Sequence, residues 1–225
     1  MRYPYLLMNP GAKAAPMVKL TGQPLLIVLD KELAESALAL DEDSVAINNL
    51  FSKIIADAGC GWALGPYLEN RESIMSQYPQ MRGEARYFHL GVDICAPAGT
   101  PVYAPLDCRV HESGYEEGAG NYGGYVILKH EPDSGEPFYI MIGHMKRSTL
   151  PLAGDFIKSG EKVAEIGDLG ENGGWNHHTH IQIITEKGRQ AGYFFRGYCS
   201  LKMLPEIDLL CPSPMPLLAA GAVIC

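Results

Sequence analysis

The feature that most restricts the fold is a series of short β-prone runs in the second half of the chain. They are separated by Gly, Pro, Asp or Asn and lie at 102–104, 108–112, 125–130, 138–144, 162–167 and 180–185. Many short strands at this spacing are typical of an antiparallel sandwich or an open barrel, and they argue against alternating α/β units. The sequence therefore predicts a mainly β domain in this part of the chain.

The part before residue 85 has a different pattern. Residues 23–30 form a short apolar run that predicts a strand, and residues 59–84, which contain several Gly and Pro, predict an irregular connection with a short helix at 71–77. An amphipathic helix is predicted from the spacing of Ile47, Leu50, Phe51, Ile54, Ile55 and Ala58. Asp43 or Ser44 can cap its start, and Gly59 can end it.

These patterns divide the chain into three parts. We expect an N-terminal α+β extension at 1–84, the β domain at 85–205 and a C-terminal tail at 206–225, which is Pro-rich from Cys211 and predicted to be extended. At 225 residues the chain is long enough to bury a substantial core.

Charge and composition exclude some classes of partner. A formal net charge of -8 argues against general nucleic-acid binding, which requires a positive surface. The sequence predicts no transmembrane segment, and residues 1–11 do not have the pattern expected of a signal peptide. The six cysteines include no C-x-x-C pair, so the default expectation is reduced thiols in the cytoplasm. The cell envelope or secretion by a non-standard route remains an open alternative.

Three histidine-bearing segments suggest a metal site. In an extended strand alternate side chains share a face, so His89 and Asp93 would point the same way, as would His178 and His180. Together with His144 they provide more candidates than a catalytic zinc needs, because such a zinc takes three protein ligands and keeps one position for water. Surplus imidazoles beside it suit proton transfer near neutral pH. His111, His130 and His177 are interpreted as packed or surface residues.

Five motifs follow one another in the second half of the chain: HLGVDICAPAGTPVYAPLD at 89–107, YGGYVILKH at 122–130, IGHM at 142–145, KSGEKVAEIG at 158–167 and HTHIQ at 178–182. With these motifs, residues 86–186 resemble the lysostaphin and LytM-type zinc metalloendopeptidases. The resemblance implies a lysostaphin-like antiparallel β-sandwich or open barrel. It also implies one zinc ion per chain, bound by His89, Asp93 and His180, with water in the open position. His144 and His178 would be the pair of non-ligand catalytic histidines, and the substrate would be a peptide, in peptidoglycan stem peptides or cross-bridges.

Some positions depart from the family pattern. Cys108 stands where Gly is common, and the last motif reads Thr-His-Ile-Gln where a larger apolar residue, Phe and Glu are usual. In this family an upstream segment can cover the zinc, sometimes through an Asn side chain, and Asn70 is a candidate by position only. A loop that merely packs or caps is the alternative for Asn70, and a zinc-ligand role for Cys95 is set aside in favour of a buried apolar one.

Other functions remain open at this point. The chain could be a non-catalytic binding or regulatory module on the same fold, or an intracellular peptidase with a substrate outside the cell wall. A phosphoryl or lipoyl carrier domain ranks last, because a carrier needs one modified residue and no set of metal ligands. The sequence does not decide which of His144 and His178 is the general base.

Overall fold

The computed structural model describes residues 3–4, 14–41, 43–132 and 135–221. Residues 1–84 contain the following elements: β1 (Leu25–Leu26), α1 (Lys31–Leu38), α2 (Ser44–Asp57), β2 (Ala63–Gly65), α3 (Glu72–Met75) and α4 (Pro79–Arg82). The rest of the chain contains β3 (Arg86–His89), β4 (Val92–Cys95), β5 (Pro101–Tyr103), β6 (Cys108–Glu116), β7 (Gly123–His130), β8 (Phe138–Met145), β9 (Phe156–Ile157), β10 (Lys162–Glu165), β11 (Thr179–Thr185), α5 (Glu186–Gln190), β12 (Tyr198–Ser200), α6 (Ile207–Leu210) and α7 (Met215–Gly221).

An eight-stranded sheet in the order β1-β2-β4-β11-β8-β7-β6-β9 forms the centre of the protein. All neighbouring strands in it are antiparallel except β1 and β2, which are parallel. Two smaller sheets pair β5 with β10 and β3 with β12. The prediction of a mainly β, antiparallel architecture is confirmed.

The central strands are buried on both faces of the large sheet. On one face is a first hydrophobic cluster that includes Val126, Leu128, Ile140, Ile142, Ile181 and Ile183, covered by residues of β5 and β10. On the other face is a second cluster that includes Tyr125, Ile127, Tyr139, Met141 and Ile184, covered by residues between 193 and 211. Because alternate side chains of a strand enter different clusters, the strand sequences are almost continuously apolar.

Several local predictions are confirmed and others are wrong. The amphipathic helix is α2, which begins after the cap Asp43, and the short helix predicted near 71–77 is α3. The strand predicted at 23–30 is wrong beyond Leu25–Leu26, because the amide of Leu29 donates to the carboxylate of Glu69 and Asp30 caps α1. The prediction of an extended C-terminal tail is also wrong, since residues 215–221 form a helix.

Two general properties follow from the described ranges. No helix in them combines the length and the apolar character that a bilayer-spanning helix requires. Their five cysteines are all free thiols: Cys60, Cys95, Cys108, Cys199 and Cys211. Cys225 lies outside the described residues.

Candidate metal centre

Three different strands bring His89, Asp93 and His180 together. His89 ends β3, Asp93 lies on β4 and His180 lies on β11 directly opposite Asp93. The expectation that 89–95 form one extended strand is wrong, because Leu90 and Gly91 separate strand β3 from strand β4. The two side chains nevertheless reach the same point, and all three residues are buried.

The candidate ligand atoms lie in a tight triangle. His89 Nε2 is 3.0 Å from His180 Nδ1, His180 Nδ1 is 3.0 Å from Asp93 Oδ1, and His89 Nε2 is 3.2 Å from Asp93 Oδ1. A tetrahedral zinc with bonds of about 2.0–2.1 Å needs ligand atoms about 3.3 Å apart. The triangle is therefore the right size to hold a zinc ion after a shift of a few tenths of an ångström.

Hydrogen bonds on the far side of each imidazole fix which nitrogen carries the proton. His89 Nδ1 lies 2.9 Å from the Pro66 carbonyl oxygen, and His180 Nε2 lies 3.1 Å from Gln182 Oε1. Both partners accept hydrogen bonds, so these two ring nitrogens donate. The nitrogens that face each other, His89 Nε2 and His180 Nδ1, are then both unprotonated when the rings are neutral.

The ionisation of the site strengthens the argument for a cation. Burial, and then the charge of Arg71, lower the pKa of His89 to about 4, so that ring is neutral at neutral pH. Burial alone would raise the pKa of Asp93, but His89 and Arg71 outweigh it and hold the pKa well below its ordinary range. When both rings are in their neutral tautomers, two nitrogen lone pairs and a carboxylate oxygen face one another, an arrangement that a bound cation would stabilise. The donor set fits zinc.

His144 and His178 form a second pair of imidazoles beside this triangle. Their ring centroids are 4.3 Å apart, and His178 Nε2 lies 3.9 Å from Asp93 Oδ1. His144 Nδ1 donates to the Asn172 carbonyl and His178 Nδ1 to the Asn176 carbonyl, each at 2.8 Å. The Nε2 atom of each neutral ring is left as a proton acceptor.

Burial also keeps both of these rings neutral. Burial, and then the neighbouring His178 and His180, lower the pKa of His144 well below its usual value. Burial lowers the pKa of His178, although Asp93 opposes the shift. Two neutral imidazoles next to a candidate metal site are suited to general base catalysis at neutral pH.

A β-bulge places His144. Gly124 of β7 opposes Met145 and Tyr125 opposes Gly143, so His144 is the extra residue on β8. Its backbone has a φ of 65°, in the left-handed region that residues other than Gly, Asn and Asp rarely adopt. The amide of His144 donates to Tyr122 and its carbonyl accepts from Gly167, so hydrogen bonds stabilise the bulge.

A cavity of about 240 Å³ opens next to the imidazoles. Its lining includes Asp93, His144, His178, His180 and Trp175. Residues of the N-terminal extension also line it, including Ile27, Leu29, Phe51, Met75 and Met81. The cavity therefore gives a bound molecule access to Asp93 and His180 and to the second pair of histidines.

Gly91 is required by the close approach of His180. A Cβ on Gly91 would lie 2.7 Å from His180 Nε2 and 2.7 Å from the Ile181 carbonyl oxygen. We expect Gly91→Ala to weaken zinc binding and to lower the free energy of unfolding by about 1–3 kcal/mol, because the ring and a strand must both shift. Zinc titration and chemical denaturation would measure the two effects.

The matched control is Gly61→Ala, because a Cβ on Gly61 meets no atom within 4 Å and its φ is not in the left-handed region. Wild-type zinc affinity in Gly91→Ala would contradict the expectation.

Sequence analysis missed several residues around the site. Arg71 Nη1 lies 2.7 Å from Asp93 Oδ2 and Arg71 Nε lies 2.7 Å from Glu69 Oε2. Nothing local in the sequence pointed to this pair. Gln182 could have been found, because it lies two positions after His180 on the same strand face.

The other residues considered in the sequence analysis have hydrogen-bond, ion-pair or ring partners outside the candidate ligand set. Asn70 is exposed, and its side chain accepts from the amide of Glu72, the first residue of α3. The thiol of Cys95 accepts from Asn176, and burial, with Asp93, raises its pKa to about 12. His111 packs on Tyr139 and Phe194, the buried His130 donates to Asp107, and His177 pairs with Asp168. In the described ranges the group formed by His89, Asp93 and His180 is the candidate metal cluster.

Known proteins match the same part of the chain. Residues 87–191 match Peptidase family M23. An uncharacterized metalloprotease of Haemophilus influenzae is 37% identical over 95 residues, 42% of this chain and 18% of that protein. Peptidoglycan DD-endopeptidase ShyC of Vibrio cholerae is 30% identical over 97 residues, 43% of this chain and 20% of that protein. The chain thus matches about a fifth of the length of these relatives.

Among solved structures, the catalytic domain of lysostaphin from Staphylococcus simulans has 21% sequence identity and a TM-score of 0.40, over 59% of this chain and 80% of that chain. The segment 87–191 contains all five polar side chains of the site, which are His89, Asp93, His144, His178 and His180. The match of residues 87–191 to Peptidase family M23 confirms the predicted resemblance to the lysostaphin and LytM-type enzymes.

Proposed function

We propose that this chain is a zinc-dependent metalloendopeptidase that hydrolyses peptide bonds in peptidoglycan stem peptides or cross-bridges. The observation that carries the proposal is the triangle of unprotonated acceptor atoms of His89, Asp93 and His180, next to two neutral imidazoles on the same cavity. The substrate class rests on the family and on the relative named as a peptidoglycan DD-endopeptidase.

Each group has a separate task in this proposal. His89, Asp93 and His180 would hold zinc, which when bound lowers the pKa of a water molecule and polarises the scissile carbonyl. The Nε2 atom of His144 or His178 would take the proton of the attacking water. The ring that then carries a proton would hydrogen-bond the developing oxyanion or donate to the leaving amine.

The carbonyl partners of His144 and His178 contribute by orienting the rings. Since Nδ1 of each ring donates to Asn172 or Asn176, neither ring can rotate to present that nitrogen to the cavity without losing a hydrogen bond. The protein thus presents two Nε2 acceptors in a fixed geometry, which reduces the cost of reaching the reactive arrangement.

The non-catalytic module is the weaker alternative. Such a module has no need of the full set of ligand and proton-transfer residues, whereas all five are close together here. An intracellular peptidase with a different peptide substrate would use the same chemistry, and it is a possible outcome of the test below.

Metal content and turnover test the proposal together. We expect the purified chain to bind about one zinc per molecule and to cleave defined muropeptides, with products separated by chromatography. The matched control is His111→Ala, which removes an exposed imidazole outside the site and should leave both properties unchanged. A pure protein that binds no divalent metal at micromolar concentrations would end the proposal, and cleavage of other peptides alone would redirect it to a substrate outside the cell wall.

A further inference from the structure

Arg71 is a buried cation held between two buried carboxylates. Its guanidinium contacts Glu69 Oε2 through Nε and Asp93 Oδ2 through Nη1, and Nη1 also lies 3.2 Å from the Tyr198 hydroxyl. The side chain of Arg71 is 6% exposed, that of Glu69 4% and that of Asp93 8%. A charged group this deeply buried is retained only with strong partners, and both of its carboxylate partners are within hydrogen-bond distance.

The segment that carries Arg71 is fixed along both ligand-bearing strands. Gly65 of β2 opposes Asp93 of β4. Further along, the amide of Leu68 donates to His89, the amide of His89 donates to Glu69, and the amide of Arg71 donates to Tyr87. The backbone therefore determines where the guanidinium lies relative to Asp93.

The two oxygens of Asp93 have different partners. Oδ1 faces the ring nitrogens of His89 and His180, while Oδ2 accepts from Arg71. A carboxylate with one oxygen held in this way presents its other oxygen to a metal ion. The contact thus selects single-oxygen coordination and fixes the plane of the carboxylate.

The carboxylate of Glu69 offsets the repulsion between the Arg71 guanidinium and a bound metal cation. A lone guanidinium next to a divalent cation would repel it through a medium of low dielectric constant. The carboxylate of Glu69 neutralises that charge, and its other oxygen, Oε1, accepts from the amide of Leu29. The pair can then orient Asp93 with no net charge of its own.

We propose that Glu69 and Arg71 form a positioning pair, supplied by the N-terminal extension, that holds Asp93 as a single-oxygen metal ligand. This inference rests on the proposed zinc site but assigns the residues 69 and 71 a task of their own. Because the pair acts through Asp93, its effect is on the affinity and coordination of the metal.

The test compares zinc affinity of the full chain and of three variants. In Arg71→Lys the charge remains, but an ammonium cannot present two nitrogens to two carboxylates. We expect zinc to bind about 10–100-fold more weakly to Arg71→Lys and to Glu69→Gln, measured by competition with a chromophoric chelator. The matched control is Arg189→Met, which removes an arginine that contacts Glu186 through two nitrogens but no metal ligand. Circular dichroism of the metal-free proteins verifies that each is folded.

The visible spectrum of the cobalt-substituted protein provides a second measurement. Release of Oδ2 in Arg71→Lys allows both oxygens of Asp93 to coordinate, so the d–d bands should weaken as the coordination number rises. Unchanged zinc affinity and an unchanged cobalt spectrum in a folded Arg71→Lys would overturn the inference and leave Arg71 as a structural ion pair. An increase in KM alone would also overturn it, and would assign Arg71 to substrate binding. If the wild-type chain binds neither metal, the proposed function fails.

Discussion

Asp93→Ala is expected to abolish stoichiometric zinc binding and to destabilise the metal-free protein. The change removes one of the three candidate ligands and the buried partner of Arg71. Deleting one member of a buried ion pair costs about 3–5 kcal/mol. We expect the lower end of this range, because Glu69 still pairs with Arg71. Zinc content and urea denaturation in the presence of a chelator would measure the two effects separately.

The use of a chelator matters for the comparison. A ligand that binds only the folded state raises its apparent stability, so zinc would otherwise exaggerate the effect of Asp93→Ala. The matched control is Asp168→Ala, which removes a carboxylate with 74% side-chain exposure that pairs with His177. It should cost less than about 1 kcal/mol. A variant Asp93→Ala that still holds one zinc per chain would contradict the proposed ligand set.

The second large effect is expected when His144 is replaced, and it affects catalysis without affecting zinc binding. Its replacement should leave zinc bound and reduce kcat by about 100- to 10,000-fold, the range for loss of a general acid or base. Asn is the replacement of choice, because His144 has a φ of 65° and Asn tolerates the left-handed region better than Ala. Measuring zinc content and kcat on the same preparation would separate proton transfer from metal binding.

His178 provides an internal comparison for that experiment. If the two rings act as one unit, the double variant His144→Asn with His178→Ala should be little slower than either single variant. The expectation for His144 would be wrong if His144→Asn lost its zinc, or if it kept more than about a tenth of the wild-type kcat, since loss of a general acid or base costs far more.

Sequence patterns located most of the strands and the histidine-bearing segments. Apolar runs bounded by Gly, Pro, Asp and Asn predicted β7, β8 and β11 well, because these central strands are buried on both faces. The same approach failed where a partner far along the chain decides the conformation. Leu29 leaves the sheet because Glu69, 40 residues away, accepts from its amide.

Some residues of the candidate site could likewise be predicted from the sequence, and others could not. His89 and Asp93 could be paired from their spacing, although the predicted single strand is in fact two strands that meet at Gly91. Arg71 could not be found, because its contact with Asp93 spans 22 residues and a buried arginine has no signature of its own in the sequence. Prediction from spacing therefore reached the candidate ligands and the second pair of histidines, but it missed the arginine that contacts Asp93.

The bulge at His144 determines which side of the sheet receives this imidazole. Ile140 and Ile142 enter the first hydrophobic cluster, and strict alternation would send the side chain of residue 144 into that cluster with them. The extra residue shifts the alternation of side chains by one position, so Met145 enters the apolar cluster and His144 lines the cavity. Without this bulge, regular alternation of the same sequence would place the histidine in the apolar cluster and the methionine at the cavity, with every residue considered essential unchanged.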